Sequence, residues 1–180
     1  MLIKMAMNIP DLSKDAIFQS YSKLISFTRE CLLQNSESKL IGLAHMVYGW
    51  MPTMLEYNEI DQSENVINEI SKGSIEIEFL EKIKMSINNS IVGGSKLLHF
   101  INPNDYAIFD SRVYRAITRK ESYDYNTNNC NNYLYYIKRL RNMKNESEEL
   151  KRILIDRNIV TKEISNLRCM ELCLYYNNGR

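Results

Sequence analysis

Apolar residues recur along this chain at intervals of three and four, the pattern of helices with one buried face, and strict alternation is not needed to explain it. Ile17, Tyr21, Leu24, Ile25, Thr28 and Leu32 mark one face of a helix predicted over Lys14 to Gln34, with Ser13 as its N-cap. Leu40, Leu43, Ala44, Val47 and Tyr48 mark a second from Ser38 to Trp50, at whose end stands Pro52. A third spans Ser63 to Lys72 and stops at Gly73, after which Ser74 caps a helix with the stripe Ile77, Leu80, Ile83 and Ile87. The polar turn Asn88-Asn89-Ser90 and the run Ile91-Val92-Gly93-Gly94 then lead into a short helix that begins at Ser95 and Lys96 and is ended by Pro103. Asp110 reads as the N-cap of a helix carrying Val113, Tyr114, Ala116 and Ile117.

The segment YDYNTNNCNNYLYY, residues 123 to 136, is the one biased stretch, and its asparagines predict a long surface loop before a helix with Tyr133, Leu134, Ile137 and Leu140. Two more helices are expected near Ser147 to Arg157 and, capped by Thr161, near Lys162 to Tyr176. The fold class is therefore all-α, a compact helical domain over residues 1–180, built as one body or as two lobes around a cleft.

Composition narrows this further. A chain of 180 residues with 44% hydrophobic and 25% charged residues is of ordinary globular make-up and long enough to bury a core. The longest uncharged run, Leu40 to Leu55, falls short of the roughly 20 residues a membrane helix needs, and the first residues lack a signal-peptide core, so a cytoplasmic location without membrane partners is expected. Cys31, Cys130, Cys169 and Cys173 form no CxxC pair and have no His or Cys at matching ligand spacing, which predicts reduced structural thiols, no metal and no cofactor. Charge is unevenly spread: Glu56 to Lys82 holds eight acidic against two basic residues, whereas Ser111 to Asn145 holds eight basic against two acidic. The second stretch is suited to a polyanion, although solvated helix faces explain such counts equally well.

One segment carries candidate chemistry: GGSKLLHFINPNDYAIFDSRVYRAI, residues 93 to 117, with Lys96 and Asp110 at opposite ends of a compact unit. Two helices joined by a Gly-bearing turn, a lysine just after it, and an apolar residue and Asp at the head of the next helix resemble the helix-hairpin-helix DNA glycosylase superfamily, in its oxoguanine-DNA-glycosylase-like branch. The match is strongest over residues 83 to 117; the family's hairpin reads Gly-x-Gly-x-Lys, whereas here Gly93 and Gly94 are adjacent. The resemblance implies a glycosylase that extrudes a damaged or modified base from double-stranded DNA and cleaves its N-glycosidic bond, with no obligate protein partner, in base-excision repair or in defence against modified phage DNA. It implies Asp110 as the carboxylate stabilising a sugar of oxocarbenium character, and Lys96 in the position of the family's nucleophilic lysine. Gly93, Gly94 and Ser95 are the expected phosphate contacts at the turn, joined by Arg112, Arg115 and Arg139. Tyr48, Trp50 and Met51 beside a helix end, with His99 one turn beyond Lys96, are the candidates for the base pocket. Glu171 is either half of an ion pair with Arg168 or a pocket acid. A non-catalytic helical DNA-binding module and a helical protein-interaction protein are the alternatives from other classes.

Overall fold

A computed structural model describes residues 2–34, 38–51, 53–58 and 63–177; Pro52 lies outside them. Among the described residues the elements are helices: α1 (Leu2–Ala6), α2 (Ala16–Leu33), α3 (Lys39–Trp50), α4 (Ser63–Ser71), α5 (Ile77–Ser86), α6 (Ile91–Ile101), α7 (Ser111–Thr118), α8 (Asp124–Thr127), α9 (Cys130–Arg141), α10 (Lys144–Asp156) and α11 (Asn166–Tyr176). The sole extended pairing among them is an isolated bridge between Tyr57 and Ile87.

One continuous apolar core runs through these elements, from Leu2 and Ala6 of α1 to Cys173 and Leu174 of α11. Two helices organise it. Helix α6 packs against α2, α3, α4 and α5, and α11 packs against α1, α7, α9 and α10. Helix α6 is buried on every side: only Val92 and Lys96 of its eleven residues are not. A helix apolar all round is a core helix, and here a single charged side chain interrupts it.

Several boundaries differ from the sequence expectation, each for a local reason. Helix α2 is capped by Asp15, whose carboxylate accepts from the Phe18 amide at 3.0 Å, while Ser13 closes a turn on Asp11. Helix α11 starts at Ser165, whose hydroxyl accepts from the Arg168 amide at 3.1 Å, and not at Thr161. Ser74 donates to the Glu69 carboxylate and leaves the start of α5 to Glu76.

The asparagine-rich segment is not one loop. Asn129 caps α9 by accepting from the Asn131 and Asn132 amides, and Asn132 donates to the Asn126 carbonyl, so asparagines that favour turns here end α8 and begin α9.

The largest change concerns the hairpin. The turn between α5 and α6 is made by Asn88 and Asn89, both in the left-handed region at φ 52° and 46°, and α6 begins at Ile91, four residues before the expected Ser95. Asn tolerates this conformation, so the turn needs no glycine. Gly93 and Gly94 lie inside the helix, where they let neighbours approach. A Cβ on Gly93 would sit 2.1 Å from the Tyr48 hydroxyl of α3, and one on Gly94 would sit 2.9 Å from Ile83 of α5.

Candidate functional site

A recess of about 330 Å3 opens where the start of α2, the end of α3, α6, the segment before α7 and α11 meet. That is the size range of small-molecule sites, about 300–1,000 Å3. Lys96 and Asp110 both line it, together with Phe18, Trp50, Met51, Arg168, Glu171, Tyr175 and Tyr176.

The sequence places these two groups by different means. Lys96 is carried by α6. It makes no hydrogen bond and no ion pair within 4 Å among the described residues, and burial holds its pKa below the usual lysine value, against the opposing charges of Asp110 and Glu171. Asp110 is delivered by the buried segment Tyr106–Phe109, whose backbone is fastened at three points. The Phe109 amide donates to Ser95 Oγ at 3.1 Å, the Tyr136 hydroxyl donates to the Ile108 carbonyl at 3.1 Å, and His99 Nδ1 lies 2.7 Å from the Tyr106 carbonyl. Because a carbonyl only accepts, Nδ1 carries the proton and Nε2 accepts from the Tyr21 hydroxyl at 2.7 Å. Asp110 then caps α7 with one oxygen, accepting from the Val113 amide at 2.8 Å, and its other oxygen bonds to nothing among the described residues.

Several expected roles change accordingly. Ser95 and His99, expected at a phosphate and in the base pocket, are fully buried and instead clamp the segment that presents Asp110. Burial and the nearby Arg168 push the His99 pKa down to about 3, the hydrogen bond to Tyr106 opposing them, so the imidazole is neutral. Gly93 and Gly94 are buried and show no open amide to a phosphate: the Gly93 amide donates to Ser90 Oγ and the Gly94 amide to the Ser90 carbonyl. The first amide of the helix, on Ile91, donates to the Asn128 side chain at 2.9 Å, and Asn128 also donates to the Asn89 carbonyl. The start of α6 is thus largely satisfied from within.

Tyr48 packs on Gly93 and is not part of the recess, whereas Trp50 and Met51 are; the Trp50 indole donates to the Ile17 carbonyl and stands edge-on to Phe100 at 5.1 Å. Of the arginines, Arg112 is exposed with its guanidinium 4.5 Å above the Tyr175 ring, which places a cation beside a lining residue. Arg139 is exposed on α9, and Arg115 is half-buried, donating to Ser122 at 2.6 Å. Arg141 is occupied structurally, donating to the Asp105 and Gly73 carbonyls.

Helix α11 adds the pair for which the sequence left two readings open. Arg168 and Glu171, one turn apart, are both buried, bonded to each other and part of the recess wall, so Glu171 is at once an ion-pair member and a pocket acid. Burial pushes the Glu171 carboxyl above its usual range, and the adjoining Arg168 pulls it back only in part. Phe18 and Asp15, on the first turn of α2, gave no sequence signal because nothing in a helix's own pattern says what its end will face. Among the described residues no cluster of His, Cys, Asp or Glu is arranged to hold a metal, the four cysteines are free thiols, and no helix is long and apolar enough to cross a membrane.

Compared with protein-family models, curated proteins and solved structures, the chain matches none.

Proposed function

We propose that the protein is a DNA glycosylase of helix-hairpin-helix type, with α5, the Asn88–Asn89 turn and α6 as its hairpin and the recess as the site of base excision. The observation that carries this is the meeting of Lys96 and Asp110, from successive helical units, in one aromatic-walled recess. A largely buried lysine with a lowered pKa and no salt-bridge partner among the described residues costs stability and has the properties of a nucleophilic amine.

The chemistry follows from these positions. A nucleotide extruded from the duplex brings its base into the recess beside Trp50 and Phe18. As the bond between C1′ and the base nitrogen breaks, its electron pair leaves with the base and positive charge develops on C1′ and the ring oxygen. The Asp110 carboxylate stabilises that charge. Neutral Lys96 then bonds to C1′, losing a proton to Asp110, which returns it to the ring oxygen as the C1′–O4′ bond breaks, leaving a Schiff base. Where water attacks instead, Asp110 accepts its proton and an abasic sugar results. Because burial lowers the Lys96 pKa, the amine becomes neutral at lower pH than a surface lysine, and the lysine route should accelerate as pH rises through that value. With the hairpin amides occupied internally, the grip on DNA falls to exposed cations, Arg112 beside the recess and Arg139 on α9.

The test is a panel of duplexes carrying deaminated, oxidised, alkylated and hypermodified bases, scored for abasic sites. Asp110→Asn keeps an N-cap residue of equal quality, so the fold is retained while the charge is lost. Excision by the wild type and its loss in Asp110→Asn is the expected result. Undiminished excision by the Asn variant, or none by the wild type across the panel, overturns the proposal. Borohydride trapping that disappears in Lys96→Ala assigns the lysine route.

A further inference from the structure

The Arg168–Glu171 pair is an expensive feature. Two ionised side chains only 7% and 2% exposed lose most of their hydration, and such pairs are repaid only when their remaining donors and acceptors are also satisfied. Here they are not. Of the Arg168 guanidinium, Nη1 donates to Glu171, while among the described residues Nε is sealed from solvent without a partner and Nη2 bonds to nothing. Glu171 accepts at Oε2, and Oε1 accepts from nothing among the described residues. The guanidinium lies over the Tyr21 ring, 4.8 Å from its centroid, a contact that restrains the group. Nη2 of Arg168 and Oε1 of Glu171, neither bonded among the described residues, are therefore the polar atoms that the pair leaves to the recess both residues line.

The charges say what kind of molecule they await. Lys96 and Arg168 are balanced by Asp110, Glu171 and Asp15, which disfavours a phosphate or carboxylate, and the aromatic side chains of Phe18, Trp50 and Tyr176 suit a flat ring.

We infer that Arg168 and Glu171 read one hydrogen-bonding edge of an uncharged nucleobase: Glu171 accepts from an N–H of the base and Arg168 donates to an adjacent oxygen or nitrogen. This rests on the glycosylase proposal for the identity of the ligand as a base. The substrate class is then a base altered away from that edge, which keeps an N–H beside an acceptor. Bases whose edge is blocked by N-alkylation are excluded, because a buried carboxylate is left facing a methyl group.

The chain holds one tryptophan, Trp50, in the recess wall, so its emission reports entry directly, without catalysis. Deoxyuridine and deoxyinosine are titrated against their edge-blocked partners, 3-methyldeoxyuridine and 1-methyldeoxyinosine, with thymidine as the control for added bulk; duplexes carrying the same bases are scored for excision. The blocked partners should bind about 10- to 100-fold more weakly, as expected for loss of a hydrogen bond to a charged group, while thymidine should not. Glu171→Gln, checked for folding by its melting temperature, should shrink that gap, since the amide offers a donor as well as an acceptor. Equal binding of blocked and open partners, or no quenching by any nucleoside, overturns the inference, and the wild-type comparison decides even if the variant fails to fold. Edge discrimination without excision from any duplex would refute the glycosylase proposal and leave the edge-reading pair standing; excision that ignores the edge would do the reverse.

Discussion

Gly93→Ala separates two reasons for a glycine in this hairpin. If Gly93 exists to bare an amide to a DNA phosphate, a methyl group should weaken DNA binding and leave stability alone. In the structure it exists to admit Tyr48. An added Cβ would lie 2.1 Å from the Tyr48 hydroxyl oxygen, 3.0 Å from Cζ and 3.2 Å from Ile87 Cγ2, so α3 and α6 must separate or the buried ring must leave its rotamer. Overpacking of this kind costs about 1–3 kcal/mol, offset by up to about 1 kcal/mol from the better helix propensity of alanine. A net loss of about 1–2 kcal/mol lowers the melting temperature by roughly 2–8 °C at this chain length. The Tyr48 hydroxyl makes no hydrogen bond among the described residues, so Tyr48→Phe alone should be nearly silent and Gly93→Ala/Tyr48→Phe should recover part of the loss, a coupling readable in a double-mutant cycle by thermal or urea unfolding. An alanine variant as stable as the wild type, or a double variant no better than the single, would refute the packing account; wild-type stability with weakened DNA affinity would restore the phosphate account.

Two further outcomes follow from groups that support the site. His99 has a folded pKa of about 3 against an ordinary 6.5, so the unfolded chain takes up a proton that the folded chain refuses, and the stability this residue contributes is whole above about pH 6.5 and drains away as pH falls toward 3. The full effect is on the order of 5 kcal/mol; urea unfolding at pH 7 and pH 4 should show a smaller pH dependence in His99→Gln than in the wild type, and an identical one would discredit the buried, neutral imidazole. Asn128→Ala strips the Ile91 amide of its acceptor and should cost about 1–3 kcal/mol, with faster hydrogen exchange at Ile91; unchanged exchange there would mean the amide is satisfied some other way.

Periodicity and punctuation in the amino-acid sequence were enough to establish the helical class, the stripes of α3, α5 and α7, and Asp110 as the cap of α7, because these depend on neighbours within one or two turns. They were enough, too, to single out Lys96 as the odd charge in an apolar run. What local pattern misjudged was every feature whose partner is distant in the chain. Gly93 looks like turn chemistry until Tyr48, 45 residues earlier, is seen against it. Ser95 looks like a phosphate contact and His99 like a pocket wall or a core histidine until both are seen to clamp the segment before Asp110, and Asn128 looks like loop filler until it caps α6. Arg168 and Glu171 read as an ordinary helical pair, since spacing of three says that two charges touch and nothing of what encloses them. Burial is a property of the assembled helices and not of any one of them. Only the meeting of α2, α3, α6 and α11 around one recess could turn a lysine, two carboxylates and an arginine into its walls.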